Sequence, residues 1–242
     1  NHSKRILIHM KYTISEINKA LGLKSTKINE STITILLTDS RKISNPEETL
    51  FFAIQSKTND GHLYIQDLYI QGVRNFVVSS KRPEWSKLSN ANFLVVKDPL
   101  MALQKLATYH RQKFQMPVIG ITGSNGKTIV KEWLYHLLQS DYNIVRSPRS
   151  YNSQTGVPLS VWQLDQSATL GIFEAGISMP DEMEHLESII HPTIGVFTKL
   201  GEAHQENFAS LQQKCKEKLE LFINSEVIIY NEDNAVLSRC VE

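Results

Sequence analysis

Gly123-Ser124-Asn125-Gly126-Lys127-Thr128 is the stretch of this chain whose residue types and spacing are best suited to chemistry on a phosphate. Glycines let an anion approach backbone N–H groups, a lysine adds a full positive charge, and a hydroxyl is a ligand for Mg²⁺. Lys127 and Thr128 fill the last two roles. The common phosphate-loop pattern places its first glycine five residues before the second, a position held here by Ile121, so that pattern fails in its strict form. An ordinary glycine turn before a helix is the alternative, but strand, glycines, Lys-Thr and helix fall in the order a nucleotide site requires, and that is the reading adopted.

Three other residues have suitable types. Glu174 ends the apolar run Leu170-Gly171-Ile172-Phe173, where a carboxylate either holds Mg²⁺ beside a nucleotide or is simply solvated. His204 lies in the loop after Ile194 to Phe197, and a lone loop histidine is more often structural or exposed. Lys218 is read from periodicity. Ser210-Leu211-Gln212-Gln213 opens a helix as a capping box, and Leu211, Cys215, Leu219 and Phe222 form its apolar stripe. At about 100° per residue Lys218 falls about 20° from Leu211, inside the stripe, whereas Lys216 points away. A lysine aimed inward either snorkels to water or has a function. His110, His136, His185 and His191 have no such context and read as surface or helix-face residues.

The elements that must position these residues follow from the hydrophobic pattern. Val118 to Thr122 is a short, β-branched run that reads as a buried parallel strand, and Val130, Leu134, Leu137 and Leu138 recur behind the loop at helical spacing. Leu170 to Phe173, Ile194 to Phe197 and Val227 to Tyr230 are further strands, and their alternation with helices predicts a parallel sheet covered on both faces. Ligands of such sheets gather at the carboxyl ends of the strands.

Upstream, Ile14 to Leu21, Leu63 to Gln71 and Leu100 to Lys113 read as helices, and Ile33 to Leu37, Leu50 to Ile54, Phe76 to Val78 and Phe93 to Val96 as strands. The chain is therefore expected to be α/β throughout, a small N-terminal α/β domain over 10–113 followed by a mostly parallel-sheet domain of phosphate-loop type over 114–242.

A chain of 242 residues, 41% hydrophobic and 21% charged, has the composition of a globular protein with a sizeable core. With 26 Lys plus Arg against 25 Asp plus Glu, its net charge of +1 offers no electrostatic case for nucleic acid or a membrane surface. The two cysteines lack disulfide-framework or metal-site spacing, which fits a reducing cytoplasm. No apolar stretch approaches membrane-spanning length. Ile6-Leu7-Ile8 is too short for the core of a signal peptide, and Met10 reads as the natural start.

Thr122 to Thr128 closely resembles the T-G-x-N-G-K-T loop of the Mur ligases and their folylpolyglutamate synthase relatives, ATP-dependent enzymes that make amide bonds. The resemblance covers nearly all of Met10 to Glu242 through short motifs in the family's order. It implies ATP held by Gly123, Ser124, Asn125, Gly126, Lys127 and Thr128, with Mg²⁺ ligated by Thr128 and Glu174. It also implies a second Mg²⁺ served by His204, in the G-x-A-H element, and by Lys218, which is often carbamylated in this family. On this resemblance Lys127, His204 and Lys218 are the catalytic residues.

Thr38-Asp39-Ser40-Arg41, with Leu50 to Ile54 and Asp60-Gly61-His62, resembles the domain that holds a uridine nucleotide in members adding the third amino acid or the final dipeptide. Ser40 and Arg41 are the positions carried over. Ser150 to Pro158 resembles the N-x-N-x-x-G-x-P element that meets the substrate's sugar and diphosphate, so Asn152, Ser153 and Gln154 transfer although the first asparagine is missing. Asn231 belongs to a stretch similar to the N-x-D-D turn near the adenine.

The best-matching members join D-alanyl-D-alanine to UDP-N-acetylmuramoyl-tripeptide, which makes these the expected substrates and the cytoplasm the expected location. The Ser150 to Gln154 spelling is also similar to versions fused to an alanine racemase, although no racemase sequence is present. A diamino-acid-adding member, a folate-type ligase and a non-catalytic nucleotide-binding module remain alternatives. The resemblance further implies a third, C-terminal domain beyond Glu242, without which the chain is expected to form no amide bond. It leaves the oligomeric state open.

Overall fold

The computed structural model describes residues 10–24, 28–201 and 205–241. The chain divides into two compact units, Asn1–Tyr109 and His110–Glu242. In the first, β1 (Tyr12–Thr13) leads directly into α1 (Ile14–Ala20), whose N-terminus is capped by the Thr13 hydroxyl accepting from Glu16 N–H. There follow β2 (Thr32–Ile33), β3 (Ile35–Leu37), β4 (Thr49–Phe52), α2 (Ile65–Ile70), β5 (Asn75–Val78), β6 (Asn92–Val95) and α3 (Pro99–Arg111).

Strands β3, β4, β5 and β6 form a four-stranded parallel sheet in that order. The apolar run 33–37 does not stay one strand. Thr34 and Ile35 both donate their N–H groups to Glu48 O, at 3.0 and 3.1 Å, and the chain crosses there from a two-stranded ladder with β1 into the parallel sheet. The core of this unit gathers Leu37, Phe51, Phe76 and Val78 from the sheet with Ile65 and Leu68 from α2 and Trp85 beyond it.

The second unit runs β7 (Val118–Thr122), α4 (Lys127–Leu138), β8 (Ile144–Arg146), α5 (Gly156–Val161), β9 (Leu170–Glu174), α6 (Met183–Ile190), β10 (Ile194–Phe197), α7 (Leu211–Leu219), β11 (Val227–Ile229) and α8 (Ala235–Val241). Its sheet has the order β11-β10-β7-β9-β8 and every pair is parallel. All five residues of β7 are buried at its centre.

Ile119 and Ile121 of β7 point to one face, where Val130, Leu134 and Leu138 of α4 cover them; Leu137 is instead 73% exposed. Gly120 and Gly195 face the other side. A Cβ on Gly195 would lie 2.6 Å from the Phe222 ring, so glycine is what lets this ring rest on the sheet. Among the described residues no helix is long and apolar enough to cross a membrane.

Candidate functional site

The phosphate-type loop is held by backbone geometry that excludes side chains. Gly123 has φ +140°, and a Cβ there would sit 2.1 Å from Thr198 Oγ1, so only glycine fits. Ser124 N–H donates to Lys199 O at 2.6 Å, while the Ser124 hydroxyl donates to Gly201 O and accepts from Gly201 N–H, both at 2.9 Å. The Thr198 hydroxyl donates to Asn125 O at 2.6 Å. The segment after β10 thus clamps the loop that follows β7. Gly126, at φ +84°, supplies α4 with no side-chain cap, so the first-turn N–H groups are available to an anion.

Lys127 Nζ donates to Gly123 O at 2.9 Å, and its half-buried ammonium has its pKa pushed down by desolvation, with the Glu174 charge opposing. The Thr128 hydroxyl donates to Glu174 Oε2 at 3.1 Å. Glu174, the last residue of β9, is fully buried, and its Oε1 accepts no hydrogen bond although Lys131 Nζ lies 3.0 Å away as an ion pair. Asn152 Nδ2 reaches Glu174 Oε2 at 3.4 Å. A buried carboxylate beside a threonine hydroxyl is a donor set that suits a hard cation such as Mg²⁺. No group of three or more His, Cys, Asp or Glu is placed to hold a metal among the described residues.

Lys218 is 2% exposed, and its Nζ lies 3.5 Å from Gly123 O. Burial, with the charges of Lys127 and Lys214 added, pushes its pKa down to about 7. Lys214 is equally enclosed and donates to Gly201 O at 2.6 Å. Sequence reasoning did not single out Lys214 or the fully buried Lys131. Helical spacing could have found both, since Lys214 lies one turn before Lys218 and Lys131 one turn after Lys127. Helix α7 begins with the Ser210 hydroxyl accepting from Gln213 N–H at 3.0 Å. Gln213 Oε1 in turn accepts from Ala209 N–H at 2.7 Å.

The structure brings Lys127, Thr128, Glu174, Asn152 and Lys218 around one loop. His204 lies outside the described residues. Ser153 and Gln154, next to Asn152, have partners of their own: the Ser153 hydroxyl accepts from Gly156 N–H at the start of α5, and Gln154 Nε2 donates to Glu182 O at 3.0 Å. Asn231 lines a cavity of about 380 Å³ with Thr198, Lys199, Leu200 and Leu237, and its Oδ1 accepts from Asp233 N–H at 3.0 Å.

Ser40 and Arg41 belong to the first unit, in a 3₁₀ turn capped by Asp39. Arg41 grips Asp39 through both Nε and Nη2, at 2.8 and 2.9 Å, and holds that carboxyl down to about 2. His136, His185 and His191 are on the surface as expected, but His110 is fully buried. Its Nε2 faces Leu164 O at 3.0 Å and its ring lies 4.6 Å from Trp162, because a polar ring with one satisfied N–H packs where a charged one cannot.

An all-parallel sheet whose central strand runs into a glycine loop and an uncapped helix, with a buried carboxylate at the end of the next strand, defines a phosphate-loop α/β domain. The Mur ligase middle domain matches residues 121–242. The chain belongs to the Mur ligase family.

The UDP-N-acetylmuramoyl-tripeptide--D-alanyl-D-alanine ligase of Borreliella burgdorferi is 33% identical over 213 residues, 85% of this chain and 46% of that protein. The protein of the same name from Rickettsia prowazekii is 33% identical over 219 residues, 89% of this chain and 47% of its own length. The crystal structure of MurF ligase from Thermotoga maritima in complex with ADP matches with TM-score 0.74 at 26% identity, covering 84% of this chain and 47% of that one. MurF from Acinetobacter baumannii has the same fold, with TM-score 0.81 at 22% identity over 96% of this chain and 52% of that one. The chain spans about half the length of the curated relatives it matches.

Proposed function

We propose that this chain is the nucleotide- and precursor-holding part of an ATP-dependent amide ligase that joins D-alanyl-D-alanine to UDP-N-acetylmuramoyl-tripeptide in the cytoplasm. The observation that carries the reading is the joint placement of Lys127, Thr128 and Glu174 around a loop in which Gly123 cannot be replaced. The names of its relatives support the choice of substrates.

In this reading the chemistry is transfer of ATP's γ-phosphoryl group to the tripeptide carboxylate with release of ADP, followed by attack of the dipeptide amine on the acyl phosphate to form the amide with loss of phosphate and a proton. Bound Mg²⁺ would neutralise charge on the transferring group. Backbone N–H groups of Gly123 to Gly126 and the first turn of α4 receive the phosphates. The Lys127 ammonium, desolvated and aimed along the loop, stabilises the charge that builds on them. Thr128 and Glu174 present oxygens to one metal ion, and Lys218, if carbamylated, with His204 serves a second. Asn152, Ser153 and Gln154 approach the precursor's sugar and diphosphate, Asn231 the adenine, and Ser40 and Arg41 of the first unit the uridine.

Titration calorimetry with ADP, with and without Mg²⁺, tests the nucleotide half of this reading. Thermal shift with UDP-muramoyl-tripeptide against UDP-muramoyl-dipeptide tests the other half. Mg²⁺-dependent ADP binding and a larger shift with the tripeptide are expected. Equal response to the two peptides sinks the substrate assignment, and no ADP binding sinks the reading altogether.

A further inference from the structure

Lys131 has no exposed surface and plays no part in the reading above. Its Nζ donates to Ser147 O at 2.8 Å and to Arg149 O, and lies 3.0 Å from Glu174 Oε1 and 3.2 Å from Glu132 Oε1. Those oxygens come from α4, from the end of β9 and from the segment after β8. Arg149 is held at φ +51°, an uncommon conformation for a residue with a side chain, and such strain persists only where the surroundings enforce it. The same segment touches Glu174 twice more. The Ser147 hydroxyl accepts from Glu174 N–H at 3.1 Å, and Asn152 Nδ2 lies 3.4 Å from Oε2. Burying a lysine for packing alone is a poor choice, since an apolar side chain fills the volume without desolvating a charge.

We propose that Lys131 is a positioning residue that couples nucleotide–metal binding at Glu174 to the order of residues 147–154, by sharing one ammonium between that carboxylate and the Ser147 and Arg149 carbonyls. A divalent cation at Glu174 competes with Lys131 for the carboxylate charge, and the ammonium then leans on the two carbonyls and tightens the segment. The coupling is reciprocal, so a ligand that orders 147–154 strengthens metal-dependent nucleotide binding by the same factor. This rests on the nucleotide reading of the loop, and the test separates the two.

Hydrogen exchange of this chain is followed with no ligand, with ADP and with Mg·ADP, beside calorimetry of the same samples. Exchange in 147–154 is expected to slow severalfold with Mg·ADP and much less with ADP alone. In Lys131→Gln no ammonium competes for Glu174, so Mg·ADP should bind at least as tightly as in the parent, while the slowing of exchange in 147–154 falls below about twofold. Lys131→Arg should recover part of it. Mg·ADP binding with unchanged exchange in 147–154 overturns the coupling and leaves the nucleotide site standing. Absence of ADP binding overturns both. If Lys131→Gln does not fold, the exchange data on the parent chain decide alone.

Discussion

Lys218 Nζ and Lys127 Nζ converge on one atom, the Gly123 carbonyl oxygen, at 3.5 and 2.9 Å, although Lys218 is ninety-five residues from Gly123 in sequence. Burial pushes the pKa of each lysine down, and for Lys218 the repulsion from the Lys127 ammonium adds to it. An anion arriving at the loop relieves that repulsion, which is why a pair so placed favours a polyphosphate over water.

Lys127→Ala should therefore weaken ADP binding by about tenfold to a hundredfold, the range for a charge-assisted hydrogen bond made without solvent competition. The melting temperature should hold, since the change removes a partly desolvated charge. Calorimetric affinity within threefold of the parent would show that the loop binds no phosphate through this lysine.

Gly123→Ala should cost stability as well as binding. The new methyl meets Thr198 Oγ1 and forces φ +140° on a residue that avoids it, at a cost of about 1–3 kcal/mol. Adding Thr198→Ala removes the hydroxyl contact but leaves Lys199 N and O at 3.0 and 3.2 Å from the methyl, and leaves the backbone strain, so the double variant should recover only part of the lost melting temperature. Full recovery would mean that neither the Lys199 contacts nor the backbone conformation carries a cost.

Lys218, with a pKa of about 7, is roughly half neutral at neutral pH. A neutral amine adds CO₂ and releases a proton, so ¹³C-bicarbonate should give a carbamate resonance that strengthens from pH 6 to pH 8 and is absent in Lys218→Met. A spectrum identical in the two proteins would favour packing as the role of this lysine.

His110, whose pKa burial pushes down to about 4, gives a stability prediction with a defined sign. Because the folded-state value lies below the usual 6.5, the unfolded chain takes up the proton first. Folding therefore loses stability as pH falls from about 6.5 toward 4, and the loss saturates below that. His110→Gln should have a flatter melting temperature over this window than the parent. Parallel pH profiles for the two proteins would assign the acid sensitivity elsewhere.

Much of the fold could be read from the chain because β7 and β10 are continuous apolar runs bounded by polar residues, and their limits in the structure are those of the pattern. Strand β8 escaped because three residues carry no period, and α5 because Gly156 and Pro158 lie within it. The site was less legible. Lys131 and Lys214 are charged residues in helices, and charge ordinarily marks a solvated face; only the oxygens of Ser147, Arg149, Glu174 and Gly201, brought from distant segments, make their burial affordable. Helical period points a side chain inward, but it does not say what waits there.

The strand order has a consequence for how the molecule is made. Strand β7, which launches the glycine loop, pairs only with β9 and β10, and both follow it in the chain. As the polypeptide leaves the ribosome, β7 and its loop emerge ahead of the other strands of their unit and have no strand neighbour until Leu170 arrives, and the Thr198 to Gly201 clamp comes later still. The loop is thus among the earliest parts of its unit to be synthesised and among the last to take shape. Until then Val118 to Thr122 is an apolar strand with two bare edges, a natural target for a chaperone and a hazard without one.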